Sequence, residues 1–123
     1  MIDCFAYTYK TLKRKGYEFP QEFEGYSLSN LKAIMADGKD LMNSDTPLNY
    51  FSSFCTEVDK AQEDDIVLTH TGIGIAINKI KYISIFEKRG NKKLMNIDKD
   101  CKIFRIGKEE TIEEVIEPLD EVE

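Results

Sequence analysis

The stretch Asp65-Ile66-Val67-Leu68-Thr69-His70-Thr71-Gly72-Ile73-Gly74-Ile75-Ala76-Ile77-Asn78-Lys79-Ile80-Lys81-Tyr82-Ile83-Ser84-Ile85-Phe86-Glu87 decides the fold. Ile66-Val67-Leu68 is a short apolar run rich in β-formers, so Asp65 to His70 reads as a buried strand. Ile73 to Ile77 alternates large and small residues, as a strand does when one face must accept a close neighbour. Asn78-Lys79 can turn the chain back. Ile80, Tyr82, Ser84 and Phe86 then alternate with Lys81, Ile83, Ile85 and Glu87, which predicts a third strand.

Upstream of this stretch the apolar period is helical. A first helix is expected from Asp3 to Lys15, capped by Asp3, with Phe5, Tyr9 and Leu12 on one face and Gly16 as its stop. Tyr17 to Gly25 reads as loop. A second helix is expected from Ser29 to Asp37. A third should start at Thr46-Pro47, a good cap followed by a good first helical residue, and run to Val58 with Leu48, Phe51, Phe54 and Cys55 inward. Downstream, Arg89 to Lys92 reads as a turn, and Leu94 to Ile97 and Cys101 to Ile106 as strands. Glu109 to Ile116 reads as a short acidic helix ahead of a frayed tail. Helices first and hairpin-connected strands afterwards is the α+β pattern: N-terminal helices packed on a C-terminal antiparallel sheet, with neighbouring strands paired in order. Neither a repeat nor a linker divides the chain, so residues 1–123 are read as one domain.

Composition narrows the function. The net charge of −6 argues against nucleic acid or an anionic membrane as the main partner. The Met1-Ile2-Asp3-Cys4 start carries no secretory signal, so a cytoplasmic protein is expected, or a virion-associated one if the chain is phage-encoded. Three cysteines, Cys4, Cys55 and Cys101, form an odd, sparse set that reads as reduced thiols. A lone histidine without a Cys-x-x-Cys pair offers no good metal constellation, and no cofactor is expected.

Two residues stand out for chemistry. Cys4 lies in the first turn of a helix, where the positive end of the dipole favours a thiolate. His70, the chain's only histidine, ends a strand and can reach a cleft edge. Taken singly, each has a plain alternative. Alone, Cys4 reads first as a small inward-facing residue and His70 as a surface or satisfied core residue. Tyr7, Tyr26, Tyr50 and Tyr82 are candidates to line a cleft, or else core-edge residues with wet hydroxyls.

The order of these pieces resembles the NlpC-type papain-like cysteine peptidases, many of which cut bacterial cell-wall peptides. Asp3-Cys4-Phe5-Ala6 looks like that family's nucleophile motif, with Ala6 in place of the usual glycine. Glu63-Asp64-Asp65-Ile66-Val67-Leu68 looks like its Pro-Gly-Asp-hydrophobic strand, with Asp64 where the family has glycine. His70-Thr71-Gly72-Ile73-Gly74-Ile75 looks like its histidine segment. Lys81-Tyr82-Ile83-Ser84 looks like the strand of the third, imidazole-orienting residue, where Ser84 replaces the usual His, Asn or Gln. The resemblance implies a papain-like fold and a thiol hydrolase that cleaves an amide, such as peptidoglycan peptide. Cys4 would be its nucleophile, His70 its base and Ser84 its orienting residue. Asn78 is a substitute for Ser84, though a turn role already explains it. The departures leave a second reading open, a catalytically inactive papain-like binding or structural protein. A thiol-dependent acyl transferase is a third.

Overall fold

The computed structural model describes residues 4–35, 41–43, 45–70, 72–85 and 92–107. It is an α+β arrangement. Helices α1 (Cys4–Arg14), α2 (Leu28–Met35) and α3 (Asp45–Phe54) precede most of the strands, and a short 3-10 turn, Leu41–Asn43, lies between α2 and α3. A two-stranded ribbon, β1 (Glu22–Phe23) and β2 (Tyr26–Ser27), falls in the segment the sequence reads largely as loop. Glu24 and Gly25 join its strands with φ of 53° and 83°, the left-handed pair of a type I′ turn.

The main sheet has six antiparallel strands: β3 (Cys55–Val58), β4 (Ile66–Leu68), β5 (Ile73–Ala76), β6 (Lys81–Ile85), β7 (Lys92–Asn96) and β8 (Lys102–Ile106). Their order is β3-β8-β4-β5-β6-β7. Neighbours pair in sequence from β4 to β7, as expected. β8 does not join β7. It crosses over and inserts between β3 and β4, with Phe104 opposite both Glu57 and Ile66.

A second difference concerns Cys55. The sequence pattern carries the helical stripe to Val58, but α3 ends at Phe54 and Cys55–Val58 is a strand. Cys55 pairs with Ile106 and Val58 with Ile103, so partners distant in sequence override the local helical period. Cys55 remains buried in its new setting. The proposed Asp3 cap, the acidic helix at 109–116 and the tail lie outside the described residues.

The helices cover one face of the sheet. Phe5 and Leu12 of α1, Leu31 and Met35 of α2, and Tyr50 and Phe51 of α3 share a core with Ile66, Leu68, Ile73, Ile75 and Phe104. Edge-to-face ring contacts knit it together, with Phe5 6.2 Å from Tyr50 and 6.1 Å from Phe51. The fully buried Tyr50 donates its hydroxyl to the Pro20 carbonyl at 2.8 Å. Gly16, with φ of 100°, closes α1 in the predicted way: its amide bonds the Lys13 carbonyl while the Tyr17 amide bonds that of Leu12.

The opposite face carries a smaller cluster of Val67, Ala76, Tyr82 and Ile103 with Ala61. The crossover from β7 to β8 straps this face. Ile97 and Cys101 pack on the cluster, and the Ile97 amide bonds the Ile80 carbonyl at 2.8 Å.

Candidate active site

Cys4 is the first residue of α1, half-buried against the main core, and its carbonyl accepts the Thr8 hydroxyl at 2.9 Å. Two anchors fix the direction of α1 across the sheet. Near its start, the Tyr7 ring lies 5.7 Å from Lys92 Nζ, and Lys92 pairs with Ile85 at the end of β6. Just past its end, Lys15 Nζ lies 2.6 Å from Asp64 Oδ1. Asp64 precedes β4, and its amide bonds the carbonyl of Ala76, the last residue of β5. The helix therefore runs from the sheet edge where β4 ends towards the edge where β4 begins. Its Cys4 end points to the edge that carries His70.

His70 occupies the tip of the β4–β5 hairpin, and its side chain is exposed. The hairpin is closed by Thr69 and Gly72. The Thr69 amide donates to the Gly72 carbonyl at 2.9 Å, and the Gly72 amide donates to Thr69 Oγ1, also at 2.9 Å. The His70 carbonyl accepts the Leu41 amide at 3.2 Å, which ties the tip to the 3-10 turn. His70 borders a groove of about 270 Å³ with Met42, Thr69, Tyr82, Asp98 and Cys101 among its walls. A larger groove of about 650 Å³ extends along the strapped face past Val58, Ala61, Ile80 and Ile103.

Tyr82 connects these parts. Its ring lies in the His70 groove. Burial pushes its phenol up to about 12, and negative charge on Cys101, Asp98 and Cys4 acts in the same direction, while a hydrogen bond with Thr69 acts against it. Tyr82 shares this groove with His70, on the sheet face opposite the core against which Cys4 packs.

Ser84 is placed elsewhere. Continuing the register of Ile75 with Ile83 and Ala76 with Tyr82, it stands opposite Gly74, not beside the hairpin tip. It projects with Tyr82 to the face away from α1. It is fully buried, and its hydroxyl donates to the Ile73 carbonyl at 2.5 Å. Asn78 has the turn role expected of it, accepting the amides of Ile80 and Lys81 at 2.9 Å each. Of the four tyrosines suggested for a cleft, Tyr82 lines the His70 groove, whereas Tyr50 is in the core.

The Asp64-Asp65 pair divides its work. Asp64 has φ of 76°, a left-handed backbone at the position where the resemblance calls for glycine. Asp65 is buried and receives two guanidinium bonds from Arg105, at 3.0 and 2.8 Å, and the Gln62 amide at 2.8 Å. This pair clamps the start of β4 to β8.

Sequence reasoning did not find the approach of Cys101 to the His70 groove. Cys101 donates its thiol to Asp98 Oδ1 at 3.6 Å, and burial pushes that thiol up from its ordinary value. Only the crossover of the last strand brings it there, and the local pattern around Cys101 carries no sign of it. Among the described residues no group of three or more His, Cys, Asp and Glu is arranged to hold a metal, and no helix is long and apolar enough to cross a membrane. Comparison with protein-family models, curated proteins and solved structures returns no match to this chain.

Proposed function

We propose that this chain is a papain-like thiol hydrolase that cleaves an amide, with Cys4 as nucleophile and His70 as general base. The observation that carries this reading is the direction of α1, which turns its Cys4 end to the sheet edge that ends in His70. The left-handed backbone of Asp64, where the papain-like motif has glycine, adds support. In this reading His70 takes the Cys4 thiol proton as the sulfur bonds the carbonyl carbon. The oxyanion forms near the amides at the start of α1. Collapse breaks the C–N bond, and the leaving amine takes the proton from His70. Water then hydrolyses the thioester and returns the thiol. Ser84 is fully buried opposite Gly74, so the proposal rests on Cys4 and His70 alone. A peptide amide, with bacterial cell-wall peptide first among candidates, is the proposed substrate.

The test is the pH dependence of alkylation at each cysteine, in the wild type and in His70→Ala. Cys55, buried in the main core away from the groove, serves as the internal control. A Cys4 that reacts well below pH 8 only when His70 is present supports the pair. A Cys4 that behaves as an ordinary thiol in both proteins rejects it. The burial of Ser84 opposite Gly74 favours the second reading, a binding or structural protein on the same scaffold. That reading expects a stable complex unchanged by Cys4→Ser.

A further inference from the structure

Two-residue hairpin loops are normally closed by reciprocal bonds between backbone groups. At the His70 hairpin the bond from the Thr69 amide to the Gly72 carbonyl is kept, and the Thr69 side chain supplies the partner for the return bond. The Thr69 hydroxyl accepts the Gly72 amide at 2.9 Å and donates to the Gly72 carbonyl at 3.1 Å. Gly72 is buried, so its amide depends on a protein acceptor. Thr69 and Tyr82 line the same groove beside His70. His70 stands between these fixed points, held on its other side by the bond of its carbonyl to Leu41.

We infer that Thr69 is the positioning residue for His70, its hydroxyl locking the turn from which the imidazole is presented. The inference rests on the proposed role of His70 as base to Cys4. A threonine suits the task because its branched Cβ restricts χ1, so the hydroxyl is held where Gly72 needs it. Valine keeps the shape and removes only the hydroxyl, whereas serine keeps the hydroxyl.

The experiment reads alkylation of Cys4 by iodoacetamide, site by site, across pH in the wild type, Thr69→Val, Thr69→Ser, His70→Ala and the Thr69→Val/His70→Ala double variant. Tyr82, Asp98, Asp100 and Cys101 face the same groove and are unchanged throughout. Thr69→Val is expected to lower the Cys4 rate by about tenfold or more, towards that of His70→Ala. Thr69→Ser is expected to restore most of it. The double variant should be no slower than His70→Ala, because a residue acting through His70 has nothing left to act on. Cys55, buried in the wild type, reports folding in the same sample. Thr69→Val that keeps the full Cys4 rate overturns the inference. So does a loss accompanied by exposure of Cys55, or a further loss in the double variant. His70→Ala alone tests the underlying reading: if it leaves Cys4 unchanged, the hydrolase proposal fails, and the result is separate from any effect of Thr69.

Discussion

Gly74 lies directly under the ring of Tyr82: a Cβ at position 74 would stand 2.5 Å from Tyr82 Cδ2 and 2.6 Å from the Ile83 carbonyl oxygen. The ring can swing away, but the Ile83 backbone is fixed by its pairing with β5 and β7. Gly74→Ala is therefore expected to destabilise the protein by about 3 kcal/mol, the upper range for overpacking. Urea unfolding checks this. A shift below about 1 kcal/mol would mean that β6 is free to move away from β5.

The tyrosines set the alkaline limit. Burial pushes the Tyr82 phenol from 10 up to about 12 and raises Tyr50 further still. Below pH 10 both phenols are protonated in the folded and unfolded chains and contribute no pH dependence. Above it the unfolded chain loses protons that the folded chain retains, so stability falls as pH rises through 10 to 12. The urea midpoint should decline over that window, and Tyr82→Phe should flatten part of the decline. An unchanged slope in Tyr82→Phe would count against burial as the cause.

Asp65 and Arg105 form a two-bond ion pair, with Asp65 only 3% exposed. Arg105→Ala leaves a buried carboxylate with the Gln62 amide but no cation. A loss of about 2–4 kcal/mol is expected, reduced from the fully buried case because Arg105 is partly open to water. Replacing both residues with apolar side chains of similar volume should cost less than the single change. Thermal melts of the two variants decide whether the cost lies in the lost pair or the stranded charge.

At Asp64 two small effects oppose each other. Asp64→Gly relieves a left-handed residue at φ 76° but removes the ion pair to Lys15 and the bond from Tyr17. Both sides are worth about 1 kcal/mol or less, so a near-neutral change is expected. Asp64→Val keeps the unfavourable backbone, adds a β-branch and loses the pair, and should be clearly destabilised. Equal stability of the Gly and Val variants in urea would argue against backbone conformation as the deciding term.

The sequence was most legible where pairing is local. The β4–β5–β6 meander follows from the alternation between Ile66 and Ile85, and the small residue at Gly74 announced the close approach later found there. Cys55–Val58 was not legible, because its residues continue a helical stripe and their partners in β8 lie far along the chain. The candidate site divides in the same way. Cys4 at a helix start and His70 at a strand end are visible in the pattern. The position of Ser84 depends on hairpin register: alternation gives its face but not the residue opposite it. Cys101 reaches the His70 groove only through the crossover, which no local period encodes.

The insertion of β8 between β3 and β4 bears on synthesis. The meander from β4 to β7 can assemble from nearby contacts as the chain leaves the ribosome. β3 emerges earlier than any of these strands, yet its only neighbour in the described sheet is β8, the last of the described strands to be made. Until β8 arrives, β4 is an open strand edge beside a half-built core, accessible to a chaperone or to another nascent chain. A pause or truncation just upstream of Lys102 would release an aggregation-prone species, and the sheet is completed only when translation has passed Ile106.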